Sequence, residues 1–278
     1  MGPVIYHSGG SIMPRLNIFA IFWKPAALQN GNPAKFPNGY TQILKNFVED
    51  YVGHGIHNNN TQYYQTIEGV TTYVSGLLLS AGGIGSKTAS YTDTEPYPAA
   101  GCTDVANPGN CITDAQIETE LQRVMALKGW TGGLDKVYVI FTPVGEDSCF
   151  DAAGQECSSN FYCSYHSYIP GSPNIIYANL PYQEPSFCEL PGYTSPNNNP
   201  AADTVADDLG HEVSESVTDP LIDAWYDDEG NEIGDLCETS YGTASYDGGL
   251  ANQSWNGHFY ELQEEFDNQT GTCVLIGP

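Results

Sequence analysis

The segment from residue 203 to residue 238 contains the side chains best suited to chemistry. It holds thirteen Asp or Glu and no Lys or Arg, so its carboxylates repel one another unless a positive charge lies among them. At its centre, His211, Glu212 and Glu215 form an H-E-x-x-E pattern. This pattern differs at one position from the H-E-x-x-H signature of zinc peptidases, and it predicts a metal site.

A helix predicted from Thr204 to Thr218, capped by Asp203, would position these side chains. His211 and Glu215 then lie one turn apart on its polar face, where both can reach one cation. Glu212 is rotated by roughly 100° from His211 and can face the same pocket from the side. The simpler alternative is a polar face exposed to solvent, because runs of charge usually are.

A hydrolytic zinc ion needs about three protein ligands and an open position for water, with a nearby carboxylate that accepts the water's proton. We expect His211 and Glu215 to be two of the ligands and Glu212 to be the general base. One imidazole with two carboxylates is a harder ligand set than two imidazoles with one carboxylate. Zinc is therefore selected less strongly, and Mn²⁺ or Ca²⁺ also fits this set.

The third ligand must come from outside the helix. Asp235 lies twenty residues after Glu215, a gap similar to the one at which thermolysin-like enzymes supply their third ligand. The segment 231–235 also resembles the N-E-x-x-S-D segment of those enzymes, an alignment that would make Glu232 the ligand. Asp235 is slightly favoured, and Asp219 is a weaker candidate.

A calcium loop is the structural alternative for the same segment. Residues 227–235 are dense in carboxylate and amide oxygens around Gly230, and hard oxygen donors suit Ca²⁺. The loop lacks the full spacing of an EF-hand.

His166 is a further catalytic candidate because it closely follows Cys163, whose disulfide would fix the backbone. It could bind a metal or stabilise an oxyanion, although a hydrogen-bonded structural histidine is the commoner case. Serine hydrolysis is not indicated, because the chain has no G-x-S-x-G elbow.

The charge distribution excludes several classes of partner. The net charge is -26, and all eight Lys and Arg lie before residue 137. Nucleic acid and anionic membrane surfaces would be repelled, and no apolar run is long enough to span a membrane. We expect the protein to be a monomer that binds a cation and acts on a peptide or protein substrate.

Eight cysteines without a C-x-x-C pair predict disulfides and therefore a secreted protein. Proximity and order favour Cys102–Cys111 and Cys237–Cys273. The pairing of the other four, Cys149, Cys157, Cys163 and Cys188, stays open.

The predicted elements indicate a mixed α/β fold in one domain spanning residues 1–278. Apolar runs predict buried strands and apolar periodicity predicts helices. The strands are 16–23, 137–141 and 175–178, the helices are 40–52 and 114–127 with Thr113 as N-cap, residues 62–92 are strands or a hairpin, and 53–60 is a polar loop.

Nearly the whole chain resembles a family of secreted microbial proteins with a zincin-type helix. The resemblance rests on GGSIMPRLNIFAIFW, ITDAQIETEL, SCFDAAG, CSYH and GHEVSESVTDPLIDAWYDDEGNEIGDLC. More distantly, the chain is similar to the plant EXORDIUM or phosphate-induced family, through the Cys-x-x-His step and Val217-Thr218-Asp219-Pro220, where plant members tend to have V-T-N-P.

The microbial resemblance implies a zincin-like fold, with a mixed sheet and an active-site helix, and a secreted zinc peptidase. Its metal would be held by His211, Glu215 and either Asp235 or Glu232. The plant resemblance implies the alternative function, a non-catalytic extracellular binding protein stabilised by calcium.

Overall fold

The computed structural model describes residues 3–76, 89–183, 188, 190 and 195–277. Its α-helices are α1 (Tyr40–Asp50), α2 (Gly55–Asn59), α3 (Asp114–Lys128) and α4 (Pro200–Thr218), with 3₁₀ turns at Asn60–Gln62 and Asp235–Cys237. None of these helices combines the length and hydropathy needed to cross a bilayer.

The strands of the described residues form one larger sheet and several two-stranded ribbons. They are β1 (Ile5–Tyr6), β2 (Ile18–Trp23), β3 (Tyr64–Ile67), β4 (Val70–Tyr73), β5 (Ala89–Asp93), β6 (Cys111–Thr113), β7 (Val137–Phe141), β8 (Asp147–Cys149), β9 (Tyr165–Ile169), β10 (Ile175–Leu180), β11 (Trp225–Tyr226), β12 (Gln253–Trp255), β13 (His258–Tyr260), β14 (Glu265–Asp267) and β15 (Thr272–Val274).

The larger sheet has the strand order β5-β2-β7-β10-β9. Its first four strands are parallel, and β9 pairs with β10 in antiparallel orientation at the edge. The central strand β7 aligns Val137 with Ile18 on one side and with Ile176 on the other. The mixed α/β class predicted from the sequence is confirmed.

Helices cover both faces of this sheet, which explains why β2 and β7 are continuous apolar runs rather than alternating ones. Ile18, Ala20 and Phe22 of β2 belong to the core that includes residues of α1 and α4. The intervening residues, among them Phe19 and Ile21, pack in a second core with α3. The α4 helix is therefore held against one face of the sheet.

Helix α4 begins four residues earlier than predicted. Its N-cap is Asn199, whose side chain accepts a hydrogen bond from the Ala202 amide, and Pro200 occupies the first turn. The predicted cap, Asp203, instead accepts hydrogen bonds from Ser195 and from Asn197. Asp203 therefore ties the preceding loop to the helix from within its first turn.

The polar face of α4 is largely buried, so its interpretation as a solvent-exposed face is wrong. Glu212 and Glu215 are each 3% exposed. Gly210 packs closely against α2, because a Cβ there would lie 3.1 Å from Cδ1 of Ile56. Helix α2 forms where the sequence predicted a polar loop, and it buries Ile56 and His57.

The other predicted elements are formed with small shifts at their ends. Thr113 caps α3 in a capping box with Gln116. The Tyr- and Thr-rich segment forms the β3–β4 hairpin and β5, while the part of that prediction at 77–88 lies outside the described residues.

All eight cysteines are paired. The predicted Cys102–Cys111 and Cys237–Cys273 bonds are confirmed, and the open set pairs as Cys149–Cys157 and Cys163–Cys188. Cys237 ends the 3₁₀ turn that begins at Asp235, so its bond attaches that turn to β15.

The Cys237–Cys273 bond closes a sequence separation of 36 residues, whereas Cys102–Cys111 closes 9. Replacing Cys237 and Cys273 by Ser should lower the free energy of unfolding by about 2–4 kcal/mol, because the unfolded chain gains entropy. The loss should exceed that of the Cys102→Ser/Cys111→Ser variant by about 1 kcal/mol. Urea denaturation at equilibrium measures both, and an unchanged free energy in the first variant contradicts the prediction.

Candidate metal site

His211 and Glu215 face each other one turn apart near the C-terminal end of α4. His211 Nε2 lies 3.1 Å from Glu215 Oε2. The helix predicted from the sequence places them this way because residues i and i+4 share a face. Burial alone would raise the pKa of Glu215, but the imidazoles of His211 and His166 hold this pKa well below its ordinary value.

The other oxygen of Glu215 is fixed by the backbone of the 3₁₀ turn. Oε1 accepts hydrogen bonds from the Gly234 amide at 3.1 Å and from the Asp235 amide at 3.2 Å. Residue 234 must be small, since a Cβ there would lie 2.7 Å from Nδ1 of His211 and 2.9 Å from Glu215 Oε1. No pattern in the sequence predicted a role for this glycine.

The structure brings Asp235 rather than Glu232 to His211. Asp235 Oδ1 lies 3.7 Å from His211 Nε2, and its side chain is 44% exposed. Glu232 points to the opposite side, where Oε2 lies 3.8 Å from Nε2 of His166. Asp219 does not join His211 either, because its Oδ1 accepts hydrogen bonds from the amides of residues 223 and 224.

Gln263 orients the His211 ring. The Gln263 side-chain amide donates to the Gly234 carbonyl at 2.9 Å, so its Oε1 faces His211 Nδ1, 3.2 Å away. This arrangement favours a proton on Nδ1 and leaves Nε2 available as a ligand, as is typical of metal-binding histidines. Gln263 lies outside every motif in the sequence, so sequence reasoning missed it.

His166 lies in β9 and is 7% exposed. Its Nδ1 is 3.5 Å from Glu212 Oε2 and 3.6 Å from Glu215 Oε2. Burial lowers the pKa of His166, but the facing carboxylates, Glu232 first, raise the net pKa well above its ordinary value. The buried position of His166 suits it to orient the carboxylates of Glu212 and Glu215 rather than to contact a substrate.

Glu212 is held between His166 and a serine. Its Oε1 accepts a 2.5 Å hydrogen bond from Ser164 Oγ, and both residues line a cleft. Ser164 was missed as a site residue, although it belongs to the Cys-Ser-Tyr-His segment that the sequence singled out.

The cleft beside α4 has a volume of about 600 Å³. His211, Glu212 and Asp235 line it, whereas His166 does not. Its other walls are aromatic and acidic, and among the residues that the structure describes no Lys or Arg lines it. The lining also includes Phe161, Tyr162, Cys163, Ser164, Cys188, Asp207, Asp208, Glu238, Thr239, Tyr241 and Gln263.

The donor atoms of His211, Glu215 and Asp235 fit a divalent metal. One ligand atom from each lies within 4.8 Å of the others. Ligands at zinc distances and tetrahedral angles are separated by roughly 3.3–3.6 Å, and the observed separations from Nε2 are 3.1 and 3.7 Å. A second group, His166, Glu212 and Glu215, meets the same 4.8 Å criterion and shares Glu215 with the first.

The acidic loop does not gather its oxygens around one point. The Asp227 carboxylate accepts hydrogen bonds from the Glu229 amide and from Asn231 of its own turn. Glu232 and Asp235 point to different histidines. The geometry therefore does not support the calcium loop predicted for residues 227–235.

Two comparisons with known proteins each match a part of the chain. Residues 176–267 match the family described as "Phosphate-induced protein 1 conserved region". This segment includes α4, the 3₁₀ turn and Gln263, but it begins ten residues after His166. No solved protein structure matches the chain, so the zincin-like architecture stays a prediction.

The curated relatives are plant proteins from Arabidopsis thaliana. Protein EXORDIUM-like 5 is 34% identical over 106 residues, covering 29% of this chain and 29% of that protein. Protein EXORDIUM-like 3 is 38% identical over 82 residues, covering 26% of this chain and 24% of that protein. The chain thus spans less than a third of each relative's length. The predicted similarity to the plant EXORDIUM or phosphate-induced family is confirmed over part of the chain. Neither relative is named as a peptidase, and these comparisons do not support the predicted resemblance to a microbial zincin-like peptidase family.

Proposed function

We propose that the chain is a secreted metal-dependent hydrolase that cleaves peptide bonds. The convergence of His211 Nε2, Glu215 Oε2 and Asp235 Oδ1 carries this proposal, because His211 and Asp235 also line a cleft. Four disulfides support an extracellular location. The cleft is large enough for part of a peptide chain, and the protein acts as a monomer on a peptide or protein.

The three ligand residues would hold Zn²⁺, or a harder ion such as Mn²⁺. When bound, such an ion lowers the pKa of water and polarises a carbonyl oxygen. Glu212 accepts the proton of the attacking water and transfers it to the leaving amine. Ser164 donates to Oε1 of Glu212, and His166 faces Oε2 from the buried side, so both neighbours orient this carboxylate.

The second candidate is a non-catalytic extracellular binding protein stabilised by calcium. The similarity to EXORDIUM-like proteins favours it, and it is more directly supported by the comparisons than hydrolysis is. In this case Glu212 serves only to hold Ser164 and His166 together, and the cleft binds a ligand without cleaving it.

Zinc binding by the purified chain tests the proposed ligands. The purified chain should bind about one zinc equivalent, and His211→Ala should lower the affinity at least tenfold because a ligand is lost. Gly234→Ala should weaken binding as well, since its Cβ displaces His211 and Glu215. His7→Ala, which changes a histidine stacked on Tyr226, is the control. Isothermal titration with zinc measures each affinity, and equal affinities in all four proteins would rule out the site.

Substitution of Glu212 distinguishes hydrolysis from ligand binding without cleavage. Glu212→Gln should retain zinc but lose about 10²–10⁴-fold in the rate of peptide cleavage, because the proton acceptor is removed. Glu229→Gln, at an exposed position of the acidic loop, should cleave at the wild-type rate. A fluorogenic peptide library supplies the substrates. If the wild type with zinc cleaves none of them, the non-catalytic function is favoured, and full activity of Glu212→Gln would show that the base is misassigned.

A further inference from the structure

A second acidic centre lies outside the lining of the cleft. It is found beside the Cys102–Cys111 and Cys149–Cys157 disulfides. Asp104 is 2% exposed and Asp147 is 9% exposed, and burial, followed by the nearness of Asp104, raises the pKa of Asp147. Asp104 Oδ2 is buried and has no hydrogen-bond partner among the described residues. Two adjoining buried carboxylates of this kind need a proton or a cation between them.

Oxygen-bearing side chains surround this pair. Ser159 Oγ lies 3.1 Å from Asp104 Oδ1, and Ser158 Oγ accepts a hydrogen bond at 3.2 Å from the amide of Ser148, the residue after Asp147. The Asn107 amide lies 2.6 Å from Asp147 Oδ2, and its oxygen can take the nitrogen's place by rotation of the amide. The pair and these three side chains offer enough oxygens for a calcium ion, which takes six to eight.

Two disulfides hold the three segments that supply these oxygens. Asp104 and Asn107 lie inside the loop closed by Cys102–Cys111. Asp147 and the two serines flank the Cys149–Cys157 bond, and the Cys111 and Cys149 sulfurs are 3.2 Å apart. The donors are therefore positioned in the folded protein before any ion binds.

No basic side chain compensates the pair among the described residues. Arg123 binds Asp93 and Glu120 instead, and Lys136 binds Asp135. Burial, followed by contact with Asp104, raises the pKa of Asp147 to about 7.

We propose that Asp104 and Asp147, with Asn107, Ser158 and Ser159, form a structural calcium site. All these donors are oxygens, and the nearby sulfurs are committed to disulfides, so the site suits Ca²⁺ rather than Zn²⁺. The site lies outside the cleft and is independent of whether the chain hydrolyses peptides. We therefore assign calcium binding to this site and not to the loop 227–235.

Chelator-treated full-length protein should be titrated with Ca²⁺, with Mg²⁺ in parallel, by calorimetry and by thermal unfolding. We expect one Ca²⁺ per chain to bind with a Kd of about 0.1–1 mM, as in extracellular modules, and to raise Tm. Asp104→Asn should weaken binding about tenfold or more, and Ser159→Ala, a milder change, by a smaller factor. The quantity compared between the wild type and each variant is the shift in Tm that calcium causes. A variant with a lower Tm in the absence of calcium therefore does not obscure the result.

Asp228→Asn and His211→Ala are the controls, and both should retain the wild-type response to Ca²⁺. A response lost in either control but kept in Asp104→Asn would place calcium elsewhere and overturn the proposal. Absence of any calcium response in the wild type would do the same and would leave a shared proton as the link between the two aspartates. Neither result depends on zinc binding or on peptide cleavage.

Discussion

The buried carboxylate of Glu215 joins three parts of the chain that are distant in sequence. Its Oε1 accepts two backbone amides from residues 234 and 235, and its Oε2 lies between the imidazoles of His211 and His166. Helix α4, strand β9 and the 3₁₀ turn are thereby fixed relative to one another. A buried carboxylate without such partners is strongly unfavourable, so the geometry of the site depends on this one side chain.

The excess of carboxyl groups around Glu215 limits the combinations of protonation and metal binding that the site can adopt. The described residues place two imidazoles and no Lys or Arg at this centre. Burial raises the pKa of Glu232 and of Glu265 well above the ordinary value, so both carboxyl groups retain protons more readily than exposed ones. Protons on the glutamates and imidazoles, or a bound divalent ion, are the two ways to balance this charge.

The sequence correctly predicts those strands, helices and side-chain pairs that depend on residues close to one another in the chain. The apolar runs locate β2, β7 and β10, and the i,i+4 spacing places His211 beside Glu215. Contacts across long separations were not predictable, because no local pattern encodes them: Gln263 meets His211 over 52 positions, and His166 meets Glu212 over 46. The N-cap predicted for α4 is wrong because Asp203 is a residue type that often caps helices. In the structure its carboxylate instead accepts hydrogen bonds from the preceding loop.

The donor types separate the two proposed ion sites. The centre at His211 includes imidazole nitrogen and opens on a cleft, which suits a borderline ion that must also meet a substrate. The centre at Asp104 has only oxygen donors, is buried and is enclosed by disulfides, which suits a structural ion. The proposed calcium site and the proposed hydrolysis are therefore independent of each other. Calcium at Asp104 would stabilise the fold whether Glu212 acts as a base or only as a hydrogen-bond acceptor.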